Sequence, residues 1–188
     1  KSFILYKPKD IVSGDFYWAT ELNNKFYFII ADSTGHGIPG AFMSLLNINF
    51  LNEAINEKQI EKPSEILNYV RNKLIQGLAE DGSEEGGKDG MDCTLICIDF
   101  INYELQYACA NNPLIIISNG KLNELDADRM PVGRSPKDSI SFNNHTIKLN
   151  KGDIIYAFTD GYADQFGGEK GKKKKKKNLR EFLFKIHQ

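Results

Sequence analysis

The 188-residue chain predicts an α+β fold with largely antiparallel strands, and three features carry that expectation. One apolar, strand-like run stands near the N-terminus, two helix-like stretches follow it, and beyond residue 90 the pattern changes to short β-type segments. The links between those later segments are too short for the crossovers that parallel pairing requires, so the strands must pair antiparallel.

In chain order, residues 25–31 (KFYFIIA) are apolar, aromatic and β-branched and read as a strand buried on both faces. A turn at Asp32–Gly37 leads into a helical stretch over 38–56. Ile38, Ala41, Phe42, Leu45 and Leu46, then Phe50, Leu51, Ala54 and Ile55, give it a broad apolar face. Pro63 fits the first turn of a second helix, over 64–79, with Ile66, Leu67, Val70, Leu74 and Leu78 on one side. An acidic, glycine-rich loop lies between Glu80 and Gly90. Residues 91–100, 103–109, 113–118, 121–125, 140–148 and 153–158 then read as strands, and Ser118-Asn119-Gly120-Lys121 as a hairpin turn. A last helix is expected over 179–187. Tyr17 and Trp18 are assigned to the core, and no internal repeat is present.

Composition narrows the function classes. The chain carries 24 basic and 25 acidic side chains and is 41% hydrophobic, enough for one substantial core. Its net charge of −1 hides a split. Lys170 and Lys172–Lys177 stand beside Glu169, a local +6, so the remainder holds −1 − 6 = −7. An acidic body excludes a nucleic-acid surface across the fold. No apolar run approaches the roughly 20 residues that span a bilayer, and the N-terminus lacks a signal-peptide pattern. The absent initiator Met reads as a single domain over 1–188 excised from a longer protein. Cys93, Cys97 and Cys109 are odd in number and lack Cys-x-x-Cys spacing, so a redox dithiol or zinc knuckle is ruled out. Reduced, buried thiols in a cytoplasmic compartment are the expectation.

Three aspartates stand at strand ends beside glycine or small residues: Asp15 in Ser13-Gly14-Asp15-Phe16-Tyr17, Asp32 in Ala31-Asp32-Ser33-Thr34-Gly35-His36-Gly37, and Asp160 in Thr159-Asp160-Gly161. Carboxylates converging from separate strands repel one another unless a cation neutralises them. Hard divalent cations take such oxygen ligands, and a pair of them lowers the pKa of a bridging water and clamps a phosphoryl group. A single Asp-Gly is an ordinary turn.

These motifs, in this order and spacing, resemble the SpoIIE-like serine phosphatases, bacterial members of the PP2C-type metal-dependent protein phosphatases. The runs PKDIVSGDFYW, KDGMDCTLICID, NNPL and FTDGYADQFGG resemble the subgroup joined to bacterial sensor proteins, over about Pro8 to Lys172. The resemblance implies a central β-sandwich of two mainly antiparallel sheets with helices on both outer faces. It implies two Mn²⁺ or Mg²⁺ ions in a cleft at one end of the sandwich. Asp15 would bind or bridge both ions, Asp32 and the backbone carbonyl of Ser33 the first, and Asp160 the second. Water would be the nucleophile, and no side chain is assigned that role. The family also carries a C-terminal acidic ligand, usually Asp-Asp before an apolar strand. The chain ends at His187-Gln188 without one, so the last strand is expected to be missing and the second metal site incomplete. Ala110-Asn111-Asn112-Pro113 replaces the Gly-His-Asn-Pro of many relatives, a subgroup variation.

The remaining polar residues have competing readings. His36, between two glycines just before a helix, contacts a phosphate near the helix N-terminus, donates a proton to the leaving serine oxygen, or simply packs and hydrogen-bonds in its turn. Asp92 is a ligand, a supporting group or a turn residue, and Asp164 a support for the Asp160 loop. His145 and His187 are assigned to the surface, and Lys172–Lys177 to a solvated loop or a surface for an acidic partner.

The function implied is a phosphoserine/phosphothreonine protein phosphatase acting on a small regulator, notably an anti-sigma-factor antagonist of the STAS type, under an upstream sensor domain. A second copy of the chain is left open as a partner. The alternatives are a signalling module that binds a phosphorylated partner without turnover, and a calcium-binding domain at Asp81–Asp89, whose acids lack EF-hand order. The broad face of the first helix, with Ile48, Phe50, Leu51 and Ile55 beyond the main stripe, suggests gating through the helix pair.

Overall fold

The computed structural model describes residues 1–78, 89–167 and 171–187. Most of the Glu80–Gly90 loop, and with it the calcium-loop alternative, lies outside the described residues. The strands are β1 (Asp15–Leu22), β2 (Lys25–Ser33), β3 (Gly90–Asp99), β4 (Glu104–Ala110), β5 (Leu114–Ser118), β6 (Lys121–Leu125), β7 (Val132–Gly133), β8 (His145–Lys148), β9 (Ile154–Tyr156), β10 (Phe166–Gly167) and β11 (Lys172–Lys173). The helices are α1 (Gly37–Asn52), which runs into a π-helical turn at Glu53–Glu57, α2 (Pro63–Leu78) and α3 (Lys175–Lys185).

The main sheet runs β1-β2-β3-β4-β8, with β7 paired to the start of β3, and a second sheet runs β6-β5-β9. Every ladder within them is antiparallel. Burial of apolar surface from water sorts the chain into four layers. Leu51, Ile55, Leu67 and Leu74 of the helices pack on Tyr27, Ile29 and Leu95 on the outer face of the main sheet. Phe28, Ile96, Leu105 and Tyr107 on its inner face meet Leu114 and Ile155 of the second sheet. Leu179 and Leu183 of α3 cover Ile115 on the far side. Helix, sheet, sheet, helix is the expected sandwich. β2 serves two cores at once, which explains why its sequence is an unbroken apolar run.

Two tight turns set register. Asn119 and Gly120 take φ 50° and 72°, and Asn23 and Asn24 take 51° and 62°, the paired left-handed conformations that match strand twist. The second hairpin creates β1, a strand the sequence reading passes over because Thr20, Glu21 and two asparagines dilute its apolar signal.

Several expectations are corrected. Tyr17 is 45% exposed, on the face of β1 away from the helices, stacked on Phe28 at 6.4 Å with Tyr6 edge-on at 5.7 Å. Trp18 does pack against the core beneath the helices. The apolar side of α1 is not its buried side. Gly40, Ser44, Asn47 and Leu51 face inward, while Ile38, Phe42 and Leu45 are 67%, 67% and 64% exposed. Leu51 and Ile55, expected to extend outward, are wholly buried. The 140–148 strand shortens to β8, because Phe142 leaves the ladder to pack beneath the Arg71 guanidinium at 4.8 Å. His145 is half-buried, stacked on Tyr107 at 4.8 Å. The lysine run is not a loop, since it forms β11 and the first turn of α3. Among the described residues no helix is long and apolar enough to cross a membrane.

Candidate functional site

Strand register assembles the site. Asp15 pairs with Asp32 across β1 and β2, and Asp32 with Asp92 across β2 and β3. Directly opposed residues of an antiparallel sheet project to the same face a few ångströms apart. The three carboxylates therefore form a row on the face that carries Phe28 and Ile96 of the inter-sheet core, at one end of the sandwich. Asp160, in the turn after β9, is near enough for its charge to act on Asp32.

Crowding of negative charge is legible in the protonation equilibria. Burial, then the charges of Asp15, Asp160 and Asp92, push the Asp32 carboxyl up from 3.8 to about 7. Partial desolvation, then Asp164 and Asp15, also raise Asp160, while Lys176 and Lys173 draw it down. One oxygen of Asp15, Oδ1, is buried without a hydrogen-bond partner. A buried carboxylate oxygen left bare is costly and calls for a cation or proton donor. Asp92 is held by the Asn111 side-chain amide, which donates to Oδ1 at 2.8 Å. Asn111 itself sits at φ 57°, in the left-handed region.

Backbone packing holds the aspartate-bearing turns together. The Ser33 amide donates to the Gly14 carbonyl at 3.0 Å, and the Thr34 amide to the Gly90 carbonyl at 2.9 Å. A Cβ on Gly14 would stand 2.7 Å from both the Gly35 and Ser33 carbonyl oxygens, and one on Gly40 only 2.5 Å from the Gly35 oxygen. Glycine is required at both by close approach. Behind this layer lie two buried polar side chains of α1. Ser44 Oγ lies 2.7 Å from the Gly14 carbonyl, and Asn47 donates to Ser33 Oγ at 3.0 Å. They tie α1 to the chain on either side of Asp15 and Asp32.

An open pocket of about 400 Å³ lies beside the row, lined by Asp32, Asp92, His36, Thr34 and Pro131 among others. His36 is the residue preceding α1 and is exposed, with no side-chain bond to the helix end. Asp15 and Asp160 stand outside this pocket's lining. Asp164 pairs with Lys173 at 2.6 Å, and its amide donates to the Asp160 carbonyl at 2.9 Å, so it braces the loop. His187 is exposed, its ring against the Tyr156 hydroxyl. The three cysteines are buried and unpaired, and burial raises each thiol above its ordinary range. They are core groups.

The structure thus brings Asp15, Asp32 and Asp160 into electrostatic contact and adds Asp92. Among the described residues, however, no three His, Cys, Asp or Glu side chains are arranged to hold a metal ion as they stand. The donor set is nonetheless all oxygen, with one bare buried carboxylate atom and one carboxyl forced toward neutrality, which fits a hard divalent cation. Sequence reasoning missed Ser44 and Asn47. Their signal was present as Gly40, Ser44 and Asn47, small and polar residues at helical spacing in an otherwise apolar stretch.

The sequence model of the family described as Stage II sporulation protein E (SpoIIE) matches residues 23–188. The chain is similar to the SiaA-PP2C domain of Pseudomonas aeruginosa, at 30% identity and TM-score 0.84, covering 97% of this chain and 70% of that one. It is similar to the PP2C phosphatase domain, with a fragment of the regulatory domain, of SpoIIE from Bacillus subtilis. That likeness is at 22% identity and TM-score 0.68, over 83% of this chain and 44% of that one. RsbX in complex with magnesium matches at 17% identity and TM-score 0.64, covering 97% and 83%. The last two show the fold alone. No curated protein sequence matches significantly.

Proposed function

The chain belongs to the SpoIIE family, with the PP2C phosphatase fold, and from that premise we propose that it is a metal-dependent phosphoserine/phosphothreonine protein phosphatase. The observation that carries the reading is the in-register row Asp15, Asp32 and Asp92 with the Asp160 charge beside it; burial and then these neighbouring charges raise Asp32 to about 7, and Asp15 Oδ1 is buried without a partner. Asp15, Asp32, the Ser33 carbonyl and Asp160 would hold Mn²⁺ or Mg²⁺. Bound there, the ions supply a water of lowered pKa and neutralise charge on the phosphoryl group.

The protein's own contribution is placement. The ladder fixes the spacing of the aspartates, and the bonds from Thr34 and Ser33 to Gly90 and Gly14 keep their turns from parting. The exposed His36 imidazole on the pocket rim supports a second role, giving a proton to the leaving serine oxygen. The magnesium held by RsbX, a protein of the same fold, supports the choice of ion. The regulatory fragment accompanying the B. subtilis domain supports a regulatory segment joined to this domain. The likeness of PKDIVSGDFYW and FTDGYADQFGG to the sensor-linked subgroup supports an upstream sensor and a phosphorylated STAS-type regulator as substrate.

Asp15→Asn tests the assignment, since it keeps shape while removing one charge. Turnover of a phosphoserine peptide with Mn²⁺ should fall by about a hundredfold or more, with an unchanged circular dichroism spectrum. Activity within about twofold of the unsubstituted protein would refute the site.

A further inference from the structure

The lysine tract is a charged feature that this function leaves unused. Lys170 and Lys172–Lys177 hold seven of the 24 basic side chains, and without residues 169–177 the chain carries −7. The tract is fastened to the Asp160 loop. Lys172 and Lys173 pair with Gly167 and Phe166 in the β10–β11 hairpin. The Lys174 amide donates to the Gln165 carbonyl at 2.9 Å, and the Lys175 amide to the Ala163 carbonyl at 2.7 Å. Lys173 reaches Asp164 at 2.6 Å, and the Lys174 ammonium lies over the Tyr162 ring at 4.4 Å. Residues 162–166 thus engage the side chains of Lys173 and Lys174, and Lys172, Lys175 and Lys176 are left without an ion-pair partner within 4.0 Å among the described residues.

Local pairing accounts for only part of this charge: Lys173 and Lys176 draw the Asp160 carboxyl down, and Lys177 reaches Glu181 at 3.8 Å. Lys175–Lys177 form the first turn of α3, where the helix macrodipole disfavours cations and no acidic residue stands within the turn itself. Exposed like charges side by side also repel. The tract is a basic strip on an otherwise acidic protein, bonded through Gln165 and Ala163 to the loop that carries Asp160.

We infer that Lys172, Lys175 and Lys176 form a docking strip for acidic residues flanking the phosphoserine of a protein substrate, a specificity element that rests on the phosphatase reading above. Rim charges of this kind act by long-range attraction, so the preference is salt-sensitive.

The test separates docking from turnover. Fluorescein-labelled peptides carrying Ala in place of phosphoserine, one flanked by Asp and Glu and one by Ser and Gly, are titrated with the protein and with the triple variant Lys172→Gln/Lys175→Gln/Lys176→Gln. The protein should bind the acidic peptide roughly five- to tenfold more tightly by anisotropy at about 50 mM salt. The preference should shrink at about 200 mM salt and vanish in the variant. Equal binding of the two peptides, an unchanged preference in the variant, or binding to anionic lipid vesicles with no peptide preference would each overturn the inference. Turnover of p-nitrophenyl phosphate with Mn²⁺ reports on the phosphatase reading separately.

Discussion

Replacing Asp32 by Asn should stabilise the metal-free protein while removing its response to metal. Asp32 lies in the middle of the carboxylate row, opposed by Asp15 on one strand and Asp92 on the other. Burial and those charges raise its carboxyl from 3.8 to about 7. A folded-state value above the unfolded one means that the native protein binds the extra proton. Stability from this group is therefore present in full below about pH 4, is lost progressively as pH rises, and is gone above about pH 7. The displacement of about three pH units corresponds to roughly 4 kcal/mol at ~1.4 kcal/mol per unit. The cleft is open to water, and screening brings that nearer 2 kcal/mol. The substituted amide has no charge to repel, so the Asp32→Asn variant should melt about 4–8 °C above the unsubstituted protein at pH 8 in EDTA. Thermal melts of both proteins from pH 4.5 to 8 cancel the other titrating groups in the difference, which should narrow toward acid. Mn²⁺ should raise the melting temperature of the unsubstituted protein at pH 8 and leave the variant where it was. A variant no more stable than its parent at pH 8, or a difference that does not depend on pH, would refute the crowding.

Ser44→Ala should cost about 1–2 kcal/mol in urea unfolding, since it withdraws a buried donor from the Gly14 carbonyl. It should also weaken Mn²⁺ binding in calorimetry; a stability loss with unchanged Mn²⁺ affinity would make the bond purely structural. Gly40→Ala should destabilise by about 2–3 kcal/mol, because its Cβ meets the Gly35 carbonyl at 2.5 Å and backbone must move; a melting temperature equal to the parent's would contradict that packing. Phe42→Lys, at an exposed position of α1, should leave the melting temperature within about 2 °C of the parent. If α1 gates the site through a docking partner, the same substitution should change oligomeric state or activity, and no change in either would remove α1 from any gating role.

The strand-and-helix order and the candidate aspartates were legible in the sequence because each rests on local chemistry. β2 reads as a strand from its unbroken apolar run, α2 as a helix from Pro63 and the spacing of Ile66, Leu67, Val70 and Leu74, and the β5–β6 turn from Asn119-Gly120. What the residues alone did not decide was which faces meet. α1 shows the limit: its hydrophobic stripe pointed to Ile38, Phe42 and Leu45 as core, yet its inner face is Gly40, Ser44 and Asn47. That side must approach Gly14 and Ser33 closely and satisfy their buried polar groups, and bulky apolar residues do neither. The lysine tract shows the same limit, because backbone bonds to Gln165 and Ala163, distant in kind from any propensity, fold it into β11 and α3. Sequence by itself determined the inventory of carboxylates. Only tertiary pairing decided that Asp15, Asp32 and Asp92 share one row, since a register slip of a single residue would turn any of them to the opposite face of the sheet.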